Sequence, residues 1–141
     1  MFLGEFAHTI DAKGRVAIPA RFREALGERF VLTRGFEQCL QAFPRVLWDD
    51  LSAKVNRLPL ASLQARSLRR MLFAPAAEVE MDRQGRMLIP QGLREYAGLA
   101  EEVLITGMHT YFELWSSANW RTVQDELSGV TIAAQLADLG I

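Results

Sequence analysis

Two short stretches hold the residues whose types and spacing could do chemistry: Asp11, Lys13 and Arg15 in one, Asp82, Arg83 and Arg86 in the other. Two aspartates invite comparison with a catalytic carboxylate pair. Each, however, has its own arginine four residues on, and a turn explains both acids without catalysis. Asp at the first position of a four-residue turn bonds the backbone ahead, and Gly14 and Gly85 at the fourth can take positive φ. The cations remain to be explained. Lys13 with Arg15 and Arg83 with Arg86 put two on each turn, and Arg21, Arg23 and Arg94 stand just behind. Arginine's planar fork can grip a phosphate or the O6/N7 edge of guanine, whereas lysine acts more as a point charge. On spacing alone two readings stay open. The pairs Asp11–Arg15 and Asp82–Arg86 brace the turns, or the arginines form a basic edge that meets an anion. Both stretches keep arginine while Lys13 gives way to Gln84, so geometry at the arginine matters more than raw charge.

Other reactive residues are few. His8 and His109 lie far apart, and His109 has no partner at metal-ligand spacing. Cys39 sits in an apolar run and reads as a small buried hydrophobe. No nucleophile elbow, phosphate-binding lysine loop or dinucleotide fingerprint occurs. The chain is therefore expected to be no enzyme, with no metal and no cofactor.

The elements that position the two stretches come from an internal repeat. Asp11–Gly27 (DAKGRVAIPARFREALG) returns as Asp82–Gly98 (DRQGRMLIPQGLREYAG), 71 residues later, with eight of 17 positions identical. With one residue inserted the similarity continues: Val31-Leu32 matches Val103-Leu104, Gly35 matches Gly107 and Trp48 matches Trp120. Each copy of roughly 45 residues is too small to bury its own core well, so the two should pack into one body.

Within each copy the pattern predicts strand, turn, strand, short helix and two more strands. His8–Ile10 and Glu78–Met81 lead into the turns, and Val16–Ile18 and Met87–Ile89 leave them as β-prone runs. Pro19 and Pro90 open helices over Ala20–Leu26 and Gln91–Ala97, which end at Gly27 and Gly98. Phe30–Thr33 pairs with Cys39–Phe43, and Val103–Thr106 with Tyr111–Trp115. Between the copies Leu47, Leu51, Val55 and Leu58 give an amphipathic helix over Val46–Arg57. A second helix follows Pro59, with Leu63, Leu68, Met71 and Leu72 inward and Arg66, Arg69 and Arg70 outward. Ser117 is a candidate cap for a helix carrying Trp120, Val123 and Leu127. Trp48 and Trp120 are expected to anchor these helices in the core. The tail Val130–Ile141 has an apolar stripe of Ile132, Leu136 and Leu139. The result is an α+β, β-rich chain: a first copy over 5–50, a helical insert over 51–76, a second copy over 77–120, and a C-terminal helix and tail over 121–141.

Composition bounds the setting. The 141 residues are 50% hydrophobic and 23% charged, enough for a real core. No apolar run approaches the ~20 residues of a membrane span. Glu5 interrupts an N-terminal stretch with no basic start, unlike a signal peptide. A lone cysteine fits a reducing, cytosolic compartment. The formal charge of −1 hides an asymmetry: residues 1–98 hold 15 Lys and Arg against 11 Asp and Glu, whereas residues 99–141 hold Arg121 against six acids.

The segments MFLGEFAHTIDAKGRVAIPARFRE and MDRQGRMLIPQGLREYAGL resemble the MraZ proteins of bacteria, duplicated relatives of the AbrB/SpoVT DNA-binding domain whose copies each carry Asp-x-x-x-Arg. The resemblance covers nearly the whole chain, including the helical insert. It implies a swapped-hairpin β-barrel made within one chain by the two copies. It also implies a sequence-specific, DNA-binding transcriptional regulator of repeats upstream of its own division and cell-wall gene cluster. Such proteins assemble as homo-oligomeric closed rings, so that several basic edges engage successive repeats. By position, Arg15 and Arg86 match the family's DNA-contacting arginines, Asp11 and Asp82 its motif acids, and Lys13 a phosphate contact. In the second copy Gln84 stands at the Lys13-equivalent position, and Arg83 beside it is that turn's second cation with Arg86. The expected partners are double-stranded DNA and further copies of the chain, with no membrane and no small-molecule substrate, in the cytoplasm at the nucleoid. The alternative is an antitoxin-like or scaffold oligomer that binds a protein partner through the C-terminal tail.

Overall fold

A computed structural model describes residues 1–127 and 129–141. The first copy runs β1 (Glu5–Thr9), β2 (Arg15–Ala17), α1 (Ala20–Leu26), β3 (Arg29–Arg34), β4 (Leu40–Pro44) and α2 (Arg45–Asn56). After α3 (Leu63–Leu72) the second copy repeats the order as β5 (Ala77–Glu80), β6 (Arg86–Leu88), α4 (Gln91–Ala97), β7 (Glu102–Gly107), β8 (Phe112–Ser116) and α5 (Ser117–Glu126). α6 (Gly129–Asp138) comes last. The chain is α+β and strand-rich, with antiparallel sheets.

The short helices α1 and α4 fall where their punctuation puts them. Pro19 and Pro90 stand before the first helical residue with φ of −50° and −55°, and Gly27 and Gly98 close the helices at φ +83° and +68°. Ser116, not Ser117, caps α5: its side chain accepts the Asn119 N–H, while Ser117 Oγ donates to Glu102. The cap needs extended backbone, which the last residue of β8 supplies.

Strand pairing joins the two copies throughout. Six strands form one antiparallel sheet in the order β1-β7-β8-β4-β3-β5, and β2 pairs with β6 as a separate two-stranded ribbon. Each copy's first strand pairs with the other copy's third, β1 with β7 and β5 with β3. The sheet has two open edges, β1 and β5, so no closed barrel forms among the described residues. The ribbon packs against both of those edge strands.

The order reads the same from either end when the copies are exchanged, which defines a pseudo-twofold axis. Two pairs of repeat-equivalent residues lie on it: Val16 opposite Met87 in the ribbon, and Gln41 opposite Glu113 in the sheet. The ladders also revise the alignment of β3 with β7. Phe6 faces Ile105 as its repeat equivalent Ala77 faces Leu32, so Leu32 corresponds to Ile105 and Thr33 to Thr106. The match of Val31-Leu32 with Val103-Leu104 is one residue out of register. A slip of one turns a strand's side chains to the other face, and indeed Leu32 and Val103 belong to the core cluster while Val31 and Leu104 do not.

Both copies supply the core: Phe22, Leu26, Phe30 and Leu32 meet Leu93, Ala97, Val103 and Ile105. Phe22 is its centre, fully buried, with rings of Phe2, Phe6 and Phe112 at 5.1, 5.2 and 5.3 Å. The tryptophans expected as core anchors lie half-buried on the opposite face of the sheet. Trp48 packs on Phe43 and Phe73, and Trp120 on Trp115. In α3, Leu63 is 61% exposed rather than inward. Arg69 turns back instead of outward, donating from one guanidinium nitrogen to the carbonyls of Val55, Asn56 and Leu58 at the end of α2. Free carbonyls at a helix C-terminus attract a cation, and helical periodicity does not report it. Phe22→Ala should lower stability by about 3–5 kcal/mol in urea unfolding, since three rings would face the cavity left behind.

Candidate nucleic-acid interface

The two turns are built alike, atom for atom. Asp11 Oδ1 accepts the N–H groups of Lys13 and Arg15 at 3.0 and 2.9 Å, and Asp11 Oδ2 accepts Arg15 Nε–H at 2.8 Å. Asp82 does the same with the N–H groups of Gln84 and Arg86, both at 2.9 Å, and with Arg86 Nε–H at 2.9 Å. Backbone bonds from Gly14 N–H to Asp11 C=O and from Gly85 N–H to Asp82 C=O close each turn at 3.0 Å. A carboxylate that accepts three N–H groups prefers its ionised form. The Arg15 backbone N–H foremost, with the Arg15 side chain and the Lys13 N–H, holds Asp11 down from 3.8 to about 2. Asp82 is lowered in the same way, first by the Arg86 backbone N–H.

The turns are locked to each other across the copies. Ile18 N–H donates to Gly85 C=O at 2.8 Å, and Ile89 N–H to Gly14 C=O at 2.9 Å. Gly14 and Gly85 have φ of +89° and +75°. A Cβ at Gly14 would lie 2.7 Å from Cζ of Arg94, and one at Gly85 would strike the guanidinium of Arg23. Each of these arginines is steered by its own copy, Arg23 Nε–H donating to Ile18 C=O and Arg94 Nε–H to Ile89 C=O. Arg23 and Arg94 therefore seat the opposite copy's turn rather than join the basic edge. Their signal was present in the sequence, since arginine recurs at that repeat position, but the exchange that gives it meaning was not.

Side chains alternate across a strand. Val16 and Met87 point into the core, so Arg15, Ala17, Arg86 and Leu88 share the outer face of the ribbon. Arg15 stands opposite Leu88 and Arg86 opposite Ala17, which sets the two arginines symmetrically about the axis, two rungs apart or roughly 7 Å along the strands. Each arginine commits only Nε within the described residues. Lys13 and Arg83 are exposed at the turn tips. The structure thus brings Asp11, Lys13, Gly14 and Arg15 together with Asp82, Arg83, Gly85 and Arg86 on one ribbon.

Other reactive residues lie elsewhere. Cys39 is fully buried on the other face of the sheet, its thiol well above the ordinary value, chiefly through burial. Glu37 and Glu113 bring ligand atoms within 4.8 Å of its sulfur. No sequence signal pairs Cys39 with Glu113, 74 residues away. Burial likewise raises Glu113, which Trp115 Nε1–H and the Cys39 thiol partly offset.

These features define a duplicated β-rich chain that presents two arginine-bearing turns on one exchanged ribbon. A family model described as "MraZ protein, putative antitoxin-like" matches residues 1–71 and again 72–139. A protein of Roseiflexus castenholzii named "Transcriptional regulator MraZ" is 51% identical over 141 residues, 99% of each chain. Proteins of the same name from Thermomicrobium roseum and Acetivibrio thermocellus are similar too. They are 51% identical over 141 residues (99% of each chain) and 49% over 143 residues (100% of each). The chain belongs to the MraZ family.

A carboxylate whose folded pKa is depressed stabilises the fold above its unfolded pKa and loses that contribution as pH falls through the folded value. Relative to an Asp11→Asn/Asp82→Asn variant, the protein should keep a constant stability advantage above pH 4. Between the ordinary value of 3.8 and about 2 that advantage should disappear. Urea unfolding of both proteins across that range measures it.

Proposed function

We propose that this chain is a sequence-specific DNA-binding transcriptional regulator, acting on repeats upstream of its own division and cell-wall gene cluster. The observation that carries the reading is the pairing of Arg15 and Arg86 on the outer face of the β2–β6 ribbon, each held at Nε by its aspartate. A two-stranded ribbon fits a major groove about 12 Å wide, and an arginine's terminal nitrogens suit the O6/N7 edge of guanine. Lys13 and Arg83 contact flanking phosphates, while Asp11, Gly14, Asp82 and Gly85 hold the turns in shape. The relatives' name, "Transcriptional regulator MraZ", supports the regulatory part.

The exchanged strands support reading the body as a variant of the swapped-hairpin barrel, open between β1 and β5. In this reading the copies over 5–50 and 77–120 carry DNA recognition, and the segments over 51–76 and 121–141 serve assembly into a closed ring. It is a binding protein, not an enzyme, and acts in the cytoplasm at the nucleoid. One observation favours a second reading, an antitoxin-like or scaffold oligomer with a protein partner: the apolar residues of α6 are exposed.

Fluorescence anisotropy with DNA from upstream of the protein's own gene, against a shuffled duplex at two salt concentrations, tests the reading. Wild type should prefer the native DNA and weaken steeply with salt, by about 0.9 in log–log slope per neutralised phosphate. Arg15→Ala with Arg86→Ala should abolish the preference and leave fold and assembly intact, and Lys13→Ala should reduce the slope by about 1. Equal binding to both duplexes by wild type, or loss of assembly in the double variant, would contradict it. The first outcome removes sequence recognition; the second assigns the arginines to bracing.

A further inference from the structure

The face of the sheet opposite the core carries a row of four buried polar side chains, Thr33, Gln41, Glu113 and Thr106, each opposite the next in register. Glu113 is the member that can carry charge, and it is only 8% exposed. A carboxylate this deep is costly to ionise unless a cation or several donors replace its lost water. Trp115 Nε1–H donates to Oε1 at 3.2 Å, and Oε2 faces the Cys39 sulfur at 3.8 Å. Glu37 brings a third ligand atom, and the three lie within 4.8 Å of one another. Neither Glu37 nor Glu113 forms an ion pair among the described residues.

The fold holds these groups in place from both copies. Glu37 and Cys39 lie in the loop between β3 and β4, and the second copy grips that loop. Tyr96 Oη donates to the carbonyls of Gly35 and Glu37 at 3.0 and 3.3 Å, and Asn119 Nδ2 to that of Gln38 at 3.1 Å. Gly35 leaves room for the sulfur, since a Cβ there would strike Cys39 Sγ.

Gln41 gives an independent sign that a ligand belongs beside these groups. It stands opposite Glu113 in the ladder, is 4% exposed, and lines an open hollow of about 410 Å³ together with Glu37 and Glu113. Its neighbours in the row bond elsewhere, Thr33 to the carbonyl of Leu72 and Glu113 to Trp115 and Cys39. The Gln41 amide has no hydrogen-bond partner among the described residues. A buried amide without one is costly, and its place on the wall of the hollow points to a partner inside it.

We propose that Glu37, Cys39 and Glu113 bind one thiophilic divalent cation of the zinc type, with a water in the fourth position held by the Gln41 amide. Two ligands of a tetrahedral zinc stand roughly 3.5 Å apart. The 3.8 Å between Glu113 Oε2 and Cys39 Sγ is close to that spacing. Sulfur selects zinc over magnesium and calcium, which take oxygen. Binding releases the Cys39 proton to solvent, because the thiolate is the ligand. The cation supplies the counter-charge that the two carboxylates otherwise lack. Two ligands come from the first copy and one from the second, so the ion fastens β4 to β8 in the middle of the sheet. His8 and His109 take no part, and the proposal is independent of the DNA reading.

Titration of the full chain with Co²⁺, a spectroscopic stand-in for zinc, tests the site. Wild type should take up one equivalent and show a sulfur-to-cobalt charge-transfer band that zinc abolishes and magnesium does not. Cys39→Ala should lose the band. Glu37→Gln, at an exposed position, and Glu113→Gln should each weaken cobalt binding by roughly tenfold or more, since even outer partners of a metal are worth that much. Circular dichroism checks that each variant is folded, and Glu37→Gln keeps the test open if a buried substitution is not tolerated. Zinc should also raise the urea midpoint of wild type and leave that of Glu37→Gln nearly unchanged. Cobalt bound without the band, which marks an adventitious ion only, overturns the proposal. So does a band that survives in Cys39→Ala, or equal affinity in Glu37→Gln and wild type.

Discussion

The outward face of the ribbon depends on the seat that each glycine turn finds in the other copy. A ladder of three residues per strand does not hold by itself. Here it is pinned by the crossed bonds from Ile18 to Gly85 and from Ile89 to Gly14, and by Arg94 and Arg23 lying where a Cβ would otherwise stand. Neither turn is therefore complete within its own copy. Exchange of the strands makes the arginine pair a property of the duplicated chain and not of either half, with its symmetry set by Val16 opposite Met87.

Bracing and recognition are compatible uses of the same arginines. A guanidinium carries five N–H donors in a fixed fork, and the aspartate of each turn engages Nε alone. The brace fixes the plane of the fork before any ligand arrives, which lowers the ordering cost of binding. Lys13, Arg15, Arg83 and Arg86, four of the 16 Lys and Arg residues, stand on the ribbon and its turns, while five of the six acids after Leu99 lie in β7, β8 and the C-terminal helices.

Much of this was legible in the sequence because glycine and proline punctuate it. The limits of α1 and α4 followed from Pro19, Gly27, Pro90 and Gly98, and the two turns from Asp and Gly at positions one and four. Less was legible wherever the reason lay across the fold. The register of β3 against β7 is set by the edge strands that each copy lends the other, so matching Val31 with Val103 by likeness slipped by one. The cap fell to Ser116 because β8 leaves that residue extended. Arg69 is drawn back by carbonyls at the end of α2, and Trp48 and Trp120 belong to the face that carries the buried polar row. None of these constraints is local, so periodicity could not report them.

The two halves of the chain differ most in their closing helices: α3 folds back over the first copy, whereas α6, after the second, buries none of its residues. The two arginines remain central to both halves. The most direct test is the ratio of affinities for native and shuffled upstream DNA in an Arg15→Lys/Arg86→Lys protein. Lysine keeps the charge but cannot be held by the aspartate and present a fork at once. Salt-sensitive binding to both duplexes should survive while the preference for the native one is lost. A preference equal to that of wild type would contradict the clamped-fork mechanism, because charge alone would then suffice and the geometry of the turns would have no part in recognition.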